Sequence, residues 1–164
     1  MRSVAGWLTA AALATLAAGC AAGDSTATTA LPEYGTVADF SAYVQPVLAA
    51  GCASLDCHGD PGRPLRLYSQ NGLRQSDELR GEEEAESEMT ANMLSIAALD
   101  PGAEQIEDHL LLLKPLAVAA GGFHHVGGDL WADQGEPAYR CLHSWFRSGT
   151  SDADAQAICQ LAAP

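Results

Sequence analysis

Residues 44 to 59 read VQPVLAAGCASLDCHG. This segment places four residues between Cys52 and Cys57 and puts His58 directly after the second thiol. Such a set of side chains can hold a c-type haem, with two thioethers from the cysteines and an axial bond from the histidine to the iron. The usual spacing is C-x-x-C-H, so the additional residues here must bulge outward if both thiols and the imidazole are to keep their places.

Three other interpretations of the cysteine pair remain open. Cys52 and Cys57 could form a local disulfide beside an incidental histidine. They could form a redox dithiol, although thioredoxin-like sites use C-x-x-C beside a βαβ pattern that this sequence lacks. They could also form half of a zinc site, which would need His124 and His125 to complete it.

The context of the motif resembles small bacterial cytochrome c domains, similar to the planctomycete-type cytochrome C domains of cell-envelope lipoproteins. The resemblance covers most of residues 38 to 150. Its short motifs are PVL at 46–48, the C-x₄-C-H-G run at 52–59, LRLY at 65–68, LLLLKPL at 110–116, the glycine-flanked 121–128 and the aromatic helix at 139–149. It implies an all-α fold, a small bundle of about four to five helices around one covalently bound haem. Cys52 and Cys57 would attach that haem, and His58 would be the proximal ligand.

The sixth ligand of such a haem would be a Met or a His. The loop at 121–128 reads GGFHHVGG, and the resemblance places a ligand histidine at His125. His124 and Met93 are the alternatives, although a Met at helical spacing more often packs in a core. We expect His109 and His143 to have structural or surface roles. In a structure without haem, the imidazoles of His58 and His125 should face each other across a gap of about 4 Å, twice a metal–nitrogen bond.

The N-terminus predicts export. Residues 1–19 carry one Arg followed by an apolar stretch too short to span a bilayer, which is typical of a signal peptide. The run LAAGC at 16–20 resembles a bacterial lipobox, so Cys20 would carry lipid after cleavage. Residues 20–35 then form a flexible tether, and residues 36–164 form the haem domain. The alternative is an ordinary secretory signal with an incidental cysteine.

The remaining cysteines predict a disulfide. Thiols outside the cytoplasm rarely stay free. Once Cys20 and the motif pair are assigned, Cys141 and Cys159 are left, 18 positions apart. A disulfide closing such a loop would contribute about 3 kcal/mol.

Apolar spacing and capping residues predict the helices. Pro46 should interrupt the helix at 37–48, and Pro137 and Gly149 should bound the helix at 136–147. Asp152 should cap a short helix that follows it. The acidic run at 82–88 should be a solvated face. The predicted helices are 37–48, one of about 12 residues from Met89 to Asp100, 106–113 and 136–147. By analogy with cytochrome c domains, Trp145 and Phe146 should pack on Phe40 and Val44.

The formal charge of −13 argues against nucleic-acid binding and favours a cationic partner. The sequence therefore predicts a lipid-anchored monohaem electron carrier, without enzymatic activity, that faces the periplasm or the cell surface. Its partner would be a redox protein with a basic docking face. The alternatives are a haem-based ligand sensor or accessory subunit, and a haem-free envelope domain with two disulfides.

Overall fold

The computed structural model describes residues 35–149 and 152–164. These residues form helices and no strand, and two isolated β-bridges, Tyr68–Leu73 and Leu116–Trp131, are the only extended pairings among them. The predicted all-α class is therefore confirmed. The α-helices of the described residues are α1 (Val37–Asp39), α2 (Gln45–Gly51), α3 (Glu86–Leu99), α4 (Leu110–Leu113), α5 (Pro137–Ser148) and α6 (Ala153–Ala162). The predicted signal peptide, Cys20 and the tether up to residue 34 lie outside the described residues.

The first helical segment changes its geometry just before Pro46. Between α1 and α2 the chain forms a π-helical turn, Phe40–Val44, in which the N–H of Gln45 donates to the carbonyl of Phe40. Proline has no N–H to continue the α-helical pattern, so the hydrogen bonding changes next to it. The predicted interruption at Pro46 is confirmed.

The two C-terminal helices form a disulfide-linked pair. α5 begins at Pro137 and is followed by Gly149, whose φ of 68° suits a residue without a Cβ. Oδ1 of Asp152 accepts hydrogen bonds from the first-turn amides of α6. The Cys141 and Cys159 sulfurs are bonded, which confirms the predicted disulfide.

The π-helical turn at Phe40–Val44 and helix α5 meet in the core. Trp145 on α5 is fully buried and lies against Phe40, with ring centres 5.3 Å apart, as the cytochrome resemblance implied. Phe146 lies against His109 at 4.3 Å between ring centres. This contact buries His109 between the end of α5 and the start of α4.

One residue of the acidic run at 82–88 has a structural role that the sequence did not indicate. The expectation of a solvated face is wrong for Glu88, whose side chain is completely buried and pairs with Arg74 at 2.8 Å. Glu88 also accepts from the backbone amides of Gln75 and Ala85, while Arg74 donates to backbone carbonyls of the loop before α3. The pair therefore fixes that loop to the start of α3.

A second buried polar group connects α2 and α3 with the chain between them. Oδ1 of Asn92 accepts from the Tyr68 amide at 2.7 Å, and its Nδ2 donates to Oε1 of Gln45 and to the Tyr68 carbonyl, each at 2.9 Å. These bonds satisfy polar groups of Asn92, Gln45 and Tyr68 that folding removes from water. They hold the chain at Tyr68, three residues after Leu65, which lines the candidate site.

Candidate functional site

One cavity brings together the two cysteines of the motif, His58 and His125. Its volume is about 530 Å³, within the range of about 300–1,000 Å³ that small-molecule and cofactor sites occupy. Its apolar wall consists of Pro64, Leu65, Leu99, Leu110, Leu111 and Pro115. Cys52, Cys57 and His58 therefore lie together on one cavity.

The chain from Cys52 to Gly59, here called the cysteine turn, follows directly from the end of α2. The Cys52 amide donates to Leu48, and the His58 amide donates back to the Cys52 carbonyl at 3.0 Å, which closes the turn. Leu55 in its middle is 59% exposed. Ser54, Leu55 and Asp56 are exposed while Ala53 is buried, so the middle of the turn loops outward and its ends stay together, as the wider spacing requires.

Gly59 completes this turn because there is no room for a side chain. A Cβ there would approach the carbonyl oxygens of Ala53 and Ser54 to 2.5 and 2.8 Å. Since both contacts are with backbone atoms, they could not be relieved by a rotamer change.

Cys52 and Cys57 are both free thiols. Burial, together with the smaller effect of the neighbouring Cys57, raises the pKa of Cys52 to about 11. The Cys52 thiol is therefore protonated at neutral pH, unlike the low-pKa thiol of a redox dithiol.

His58 has one ring nitrogen engaged by the protein and one available. Its Nδ1 lies 3.0 Å from the carbonyl oxygen of Leu65, and because that oxygen can only accept, Nδ1 carries the proton. Burial lowers the pKa of His58, and nearby His125 and Arg63 add to this effect, while the bond to Leu65 opposes it. A neutral ring with its proton on Nδ1 leaves Nε2 with a free lone pair.

His125 repeats this arrangement on the opposite side of the cavity. Its Nδ1 donates to the carbonyl of Gly128 at 3.1 Å, which again leaves Nε2 available. Gly127 makes room for the ring, because a Cβ at that position would lie 2.9 Å from Cε1 of His125. No hydrogen bond to Nε2 of either histidine is found among residues 35–149 and 152–164.

The two imidazoles face each other. The ring centres of His58 and His125 are 6.1 Å apart and the ring planes differ by 5°. This juxtaposition agrees with the expectation that the imidazoles of His58 and His125 face each other. The ligand roles of the two histidines stay predictions.

Two cations stand out in the cavity wall of this acidic chain. Arg63 and Lys114 line the cavity together with one carboxylate, Asp56. Nζ of Lys114 also donates to the backbone carbonyl of His124 at 3.2 Å. The cavity therefore offers positive charge to an anionic group.

The other four candidate residues differ in position and in contacts. His124 lines the cavity and is exposed, whereas Met93 is fully buried in the core and is not part of the cavity wall. Nδ1 of His109 accepts from the Leu111 amide and caps α4. His143 pairs with Glu107 at 2.9 Å beside a separate cavity of about 310 Å³. The expected structural roles of His109 and His143 are confirmed.

Sequence reasoning missed four contributors to the site. The Leu65 and Gly128 carbonyls act through backbone atoms, which leave no residue-type signal. Gly127 was noted only as part of a glycine-flanked loop. Lys114 carried no signal, because one lysine in an apolar run has no partner visible in the sequence.

No family model, curated protein or solved structure matches this chain. Within the described residues, no helix is long and apolar enough to cross a membrane. The same residues hold no cluster of three or more His, Cys, Asp or Glu side chains suited to a metal ion. The facing histidines, His58 and His125, and the thiols of Cys52 and Cys57 are therefore the features that bear on function.

Proposed function

We propose that this chain is a c-type cytochrome, a protein that carries single electrons on a covalently attached haem. More particularly, we propose a monohaem carrier of the cell envelope, attached to the membrane through lipid on Cys20. The observation that carries this proposal is the pair of parallel imidazoles, His58 and His125, on the same cavity as two free thiols.

The spacing of the rings fits two axial bonds to one metal. If the Nε2 atoms of both rings point at one metal, two metal–nitrogen bonds of about 2 Å, and about 1 Å from each Nε2 to its own ring centre, would give ring centres about 6 Å apart. The structure has 6.1 Å between the centres of His58 and His125. Both rings also use Nδ1 for a backbone carbonyl, the arrangement in which a second partner orients a ligand histidine and makes it more basic.

The rest of the cavity fits the remainder of a haem. Cys52 and Cys57 would hold the group as thioethers, and the apolar wall would exclude water from its ring. Arg63 and Lys114 would offset the charge of its propionate carboxylates. When bound, the haem supplies an iron that cycles between the ferrous and ferric states.

The role of the protein is to hold the group and set its potential. Two imidazole ligands lower a reduction potential relative to a Met–His pair, because Met raises it. A redox partner with a basic face would be attracted by the net charge of −13 and by the exposed carboxylates Glu82, Glu83 and Glu86.

The first experiment is a reduced-minus-oxidised absorption spectrum of the mature domain, exported in a host with c-haem maturation machinery. We expect a sharp c-type α-band and haem that stays with the polypeptide on a denaturing gel. The variant Cys52→Ala/Cys57→Ala should lose the covalent haem entirely. The matched control, Cys141→Ala/Cys159→Ala, removes the same number of sulfurs away from the cavity and should keep it.

A colourless wild-type domain without free thiols would overturn the proposal in favour of a disulfide-stabilised envelope domain without haem. The lipid anchor is tested separately. In the exporting host, Cys20→Ala should move the chain from the membrane fraction to the soluble fraction, while Cys57→Ala should not.

A further inference from the structure

The two facing histidines are held very differently. His58 is fixed by bonds to other parts of the fold: its amide donates to Cys52, its carbonyl accepts from Leu67 at 2.8 Å, and its Nδ1 bonds to Leu65. Leu65 and Leu67 are buried in the core. Moving this imidazole would therefore disrupt the core.

Among the described residues, the hydrogen bonds of His125 all lie within its own turn. Its Nδ1 bonds to the carbonyl of Gly128, and its own carbonyl accepts from the Gly128 amide at 2.9 Å. The His125 loop, defined as residues 123–130, is exposed at every position except His125 itself, and Val126 is 88% exposed. Leaving the cavity would therefore disturb few packed side chains.

The loop is attached to the rest of the fold at its two ends. The Phe123 amide donates to Leu113 at 2.8 Å, and the Leu130 and Trp131 amides donate to Pro115 at 2.8 and 3.0 Å. Between these ends, the bond from Lys114 to the His124 carbonyl is the link to another segment that the described residues show. The loop can thus swing outward while both ends stay in place.

We propose that the His125 loop is a releasable strap, and that its opening lets a small, uncharged π-acceptor ligand such as carbon monoxide or nitric oxide bind the haem iron in place of His125. This inference rests on the proposed function. Such an exchange would replace one lone-pair donor, Nε2 of His125, by another, so no electron or proton would be gained or lost. The apolar wall around Leu110 and Leu111 favours a small uncharged ligand over a hydrated ion.

Gly127 provides a selective way to test this. A methyl group at 127 would lie 2.9 Å from Cε1 of His125, and the three atoms nearest to it all belong to that ring. Gly127→Ala should therefore weaken the closed position of the strap and leave the other side of the cavity unchanged. The matched control is Gly102→Ala, since a Cβ at 102 meets nothing within 4 Å.

The first arm of the test measures carbon monoxide binding to the reduced, haem-loaded domain by absorption. Because the apparent dissociation constant equals the intrinsic one divided by the fraction of open molecules, a larger open fraction in Gly127→Ala should tighten carbon monoxide binding by about tenfold, and Gly102→Ala should leave it unchanged. His125→Ala, which removes the competing ligand, should bind tightest. Equal carbon monoxide affinity of the wild type, Gly127→Ala and His125→Ala would overturn the proposal.

The second arm measures hydrogen exchange at single amides and needs no haem. The Gly128 amide closes the turn that holds the ring, so its exchange reports opening of the strap, while the Trp131 amide reports the loop's attachment. We expect the Gly128 amide to exchange at least about tenfold faster than the Trp131 and His58 amides, and Gly127→Ala to accelerate it further. Exchange of Gly128 as slow as that of His58 would also overturn the proposal.

The two arms separate the possible failures. A domain without covalent haem would overturn the proposed function, and the exchange of the Gly128 amide would still decide whether the strap opens. A haem-loaded domain that binds no carbon monoxide, even as Gly127→Ala, would overturn the strap alone.

Discussion

The two cysteine pairs of the domain differ in their bonding. Cys141 and Cys159 are buried, lie on packed helices and are joined in a disulfide. Cys52 and Cys57 are closer in sequence, yet both remain free and line a cavity with His58. In an oxidising compartment, thiols that stay unpaired need another use.

The difference shows how each half of the domain is stabilised. The disulfide links α5 and α6 covalently. The half that carries the cavity has no disulfide in its described part, and the buried pair of Arg74 and Glu88 fixes its long loop instead. One half is thus held by a covalent bond, and the other by a buried ion pair that leaves its thiols free for chemistry.

The largest expected effect comes from breaking the ion pair. Glu88→Ala leaves Arg74 buried without its partner and should lower the free energy of unfolding by about 3–5 kcal/mol. Urea unfolding followed by circular dichroism measures the loss. Glu86→Ala, an exposed glutamate at the start of α3, is the control and should change stability by less than about 0.5 kcal/mol. Similar losses in the two variants would contradict the structural role of Glu88.

The disulfide should contribute somewhat less. Cys141→Ala/Cys159→Ala should cost about 3 kcal/mol of unfolding free energy, because the unfolded chain regains the freedom that the closed loop denies it. The same urea titration measures it. The c-type absorption band should remain at the wild-type wavelength, and its loss would mean that the two halves depend on each other.

The buried thiol of Cys52 should react slowly when haem is absent. The pKa of Cys52 is raised to about 11 from 9.0, mainly by burial, so its thiolate fraction near neutral pH is about 100-fold below that of an unperturbed thiol. Replacing Cys57 by Ala removes the smaller contribution of that neighbour and leaves the burial, so the single thiol should react with an alkylating reagent at least about tenfold more slowly than free cysteine. Fast labelling of Cys52 in the folded domain would show that its burial is incomplete.

The smallest effect concerns pH. Burial lowers the pKa of His109 below 6.5, with Asp100 opposing, so the folded state binds fewer protons than the unfolded state as pH falls below about 6.5. Stability should therefore decrease with falling pH, by at most about 1.4 kcal/mol per pH unit for this one proton. The cap would be lost too, because a protonated Nδ1 cannot accept from Leu111. His109→Asn keeps a capping side chain, and its urea midpoint should fall less between pH 7.5 and 5.5 than that of the wild type.

The parts of the fold that local chemistry determines could be predicted from the sequence. The change of helix geometry at Pro46 follows from a missing amide, and the end of α5 at Gly149 follows from a positive φ. The disulfide followed from counting cysteines, and the outward bulge of the cysteine turn followed from its spacing. Each of these features depends on neighbours in sequence or on a small set of identical residues.

The acidic run shows where this reasoning fails. Residues 82–88 look uniformly solvated in the sequence, but Glu88 is buried because Arg74, 14 positions earlier, folds back onto it. Nothing in the run distinguishes Glu88 from Glu86, since both are glutamates beside a helix start. Burial is decided by which side of α3 packs on the core.

The reactive groups are visible in the amino-acid sequence: two thiols with a histidine beside them, a glycine-flanked histidine loop, and the helices that could enclose them. Three features depend on the folded chain: His125 lies opposite His58 with parallel rings, each Nδ1 meets a carbonyl, and Gly127 leaves room for the ring. The physical reason is that spacing fixes contacts along a turn or helix. Contacts between distant segments depend instead on packing of the whole core, which local propensity does not encode.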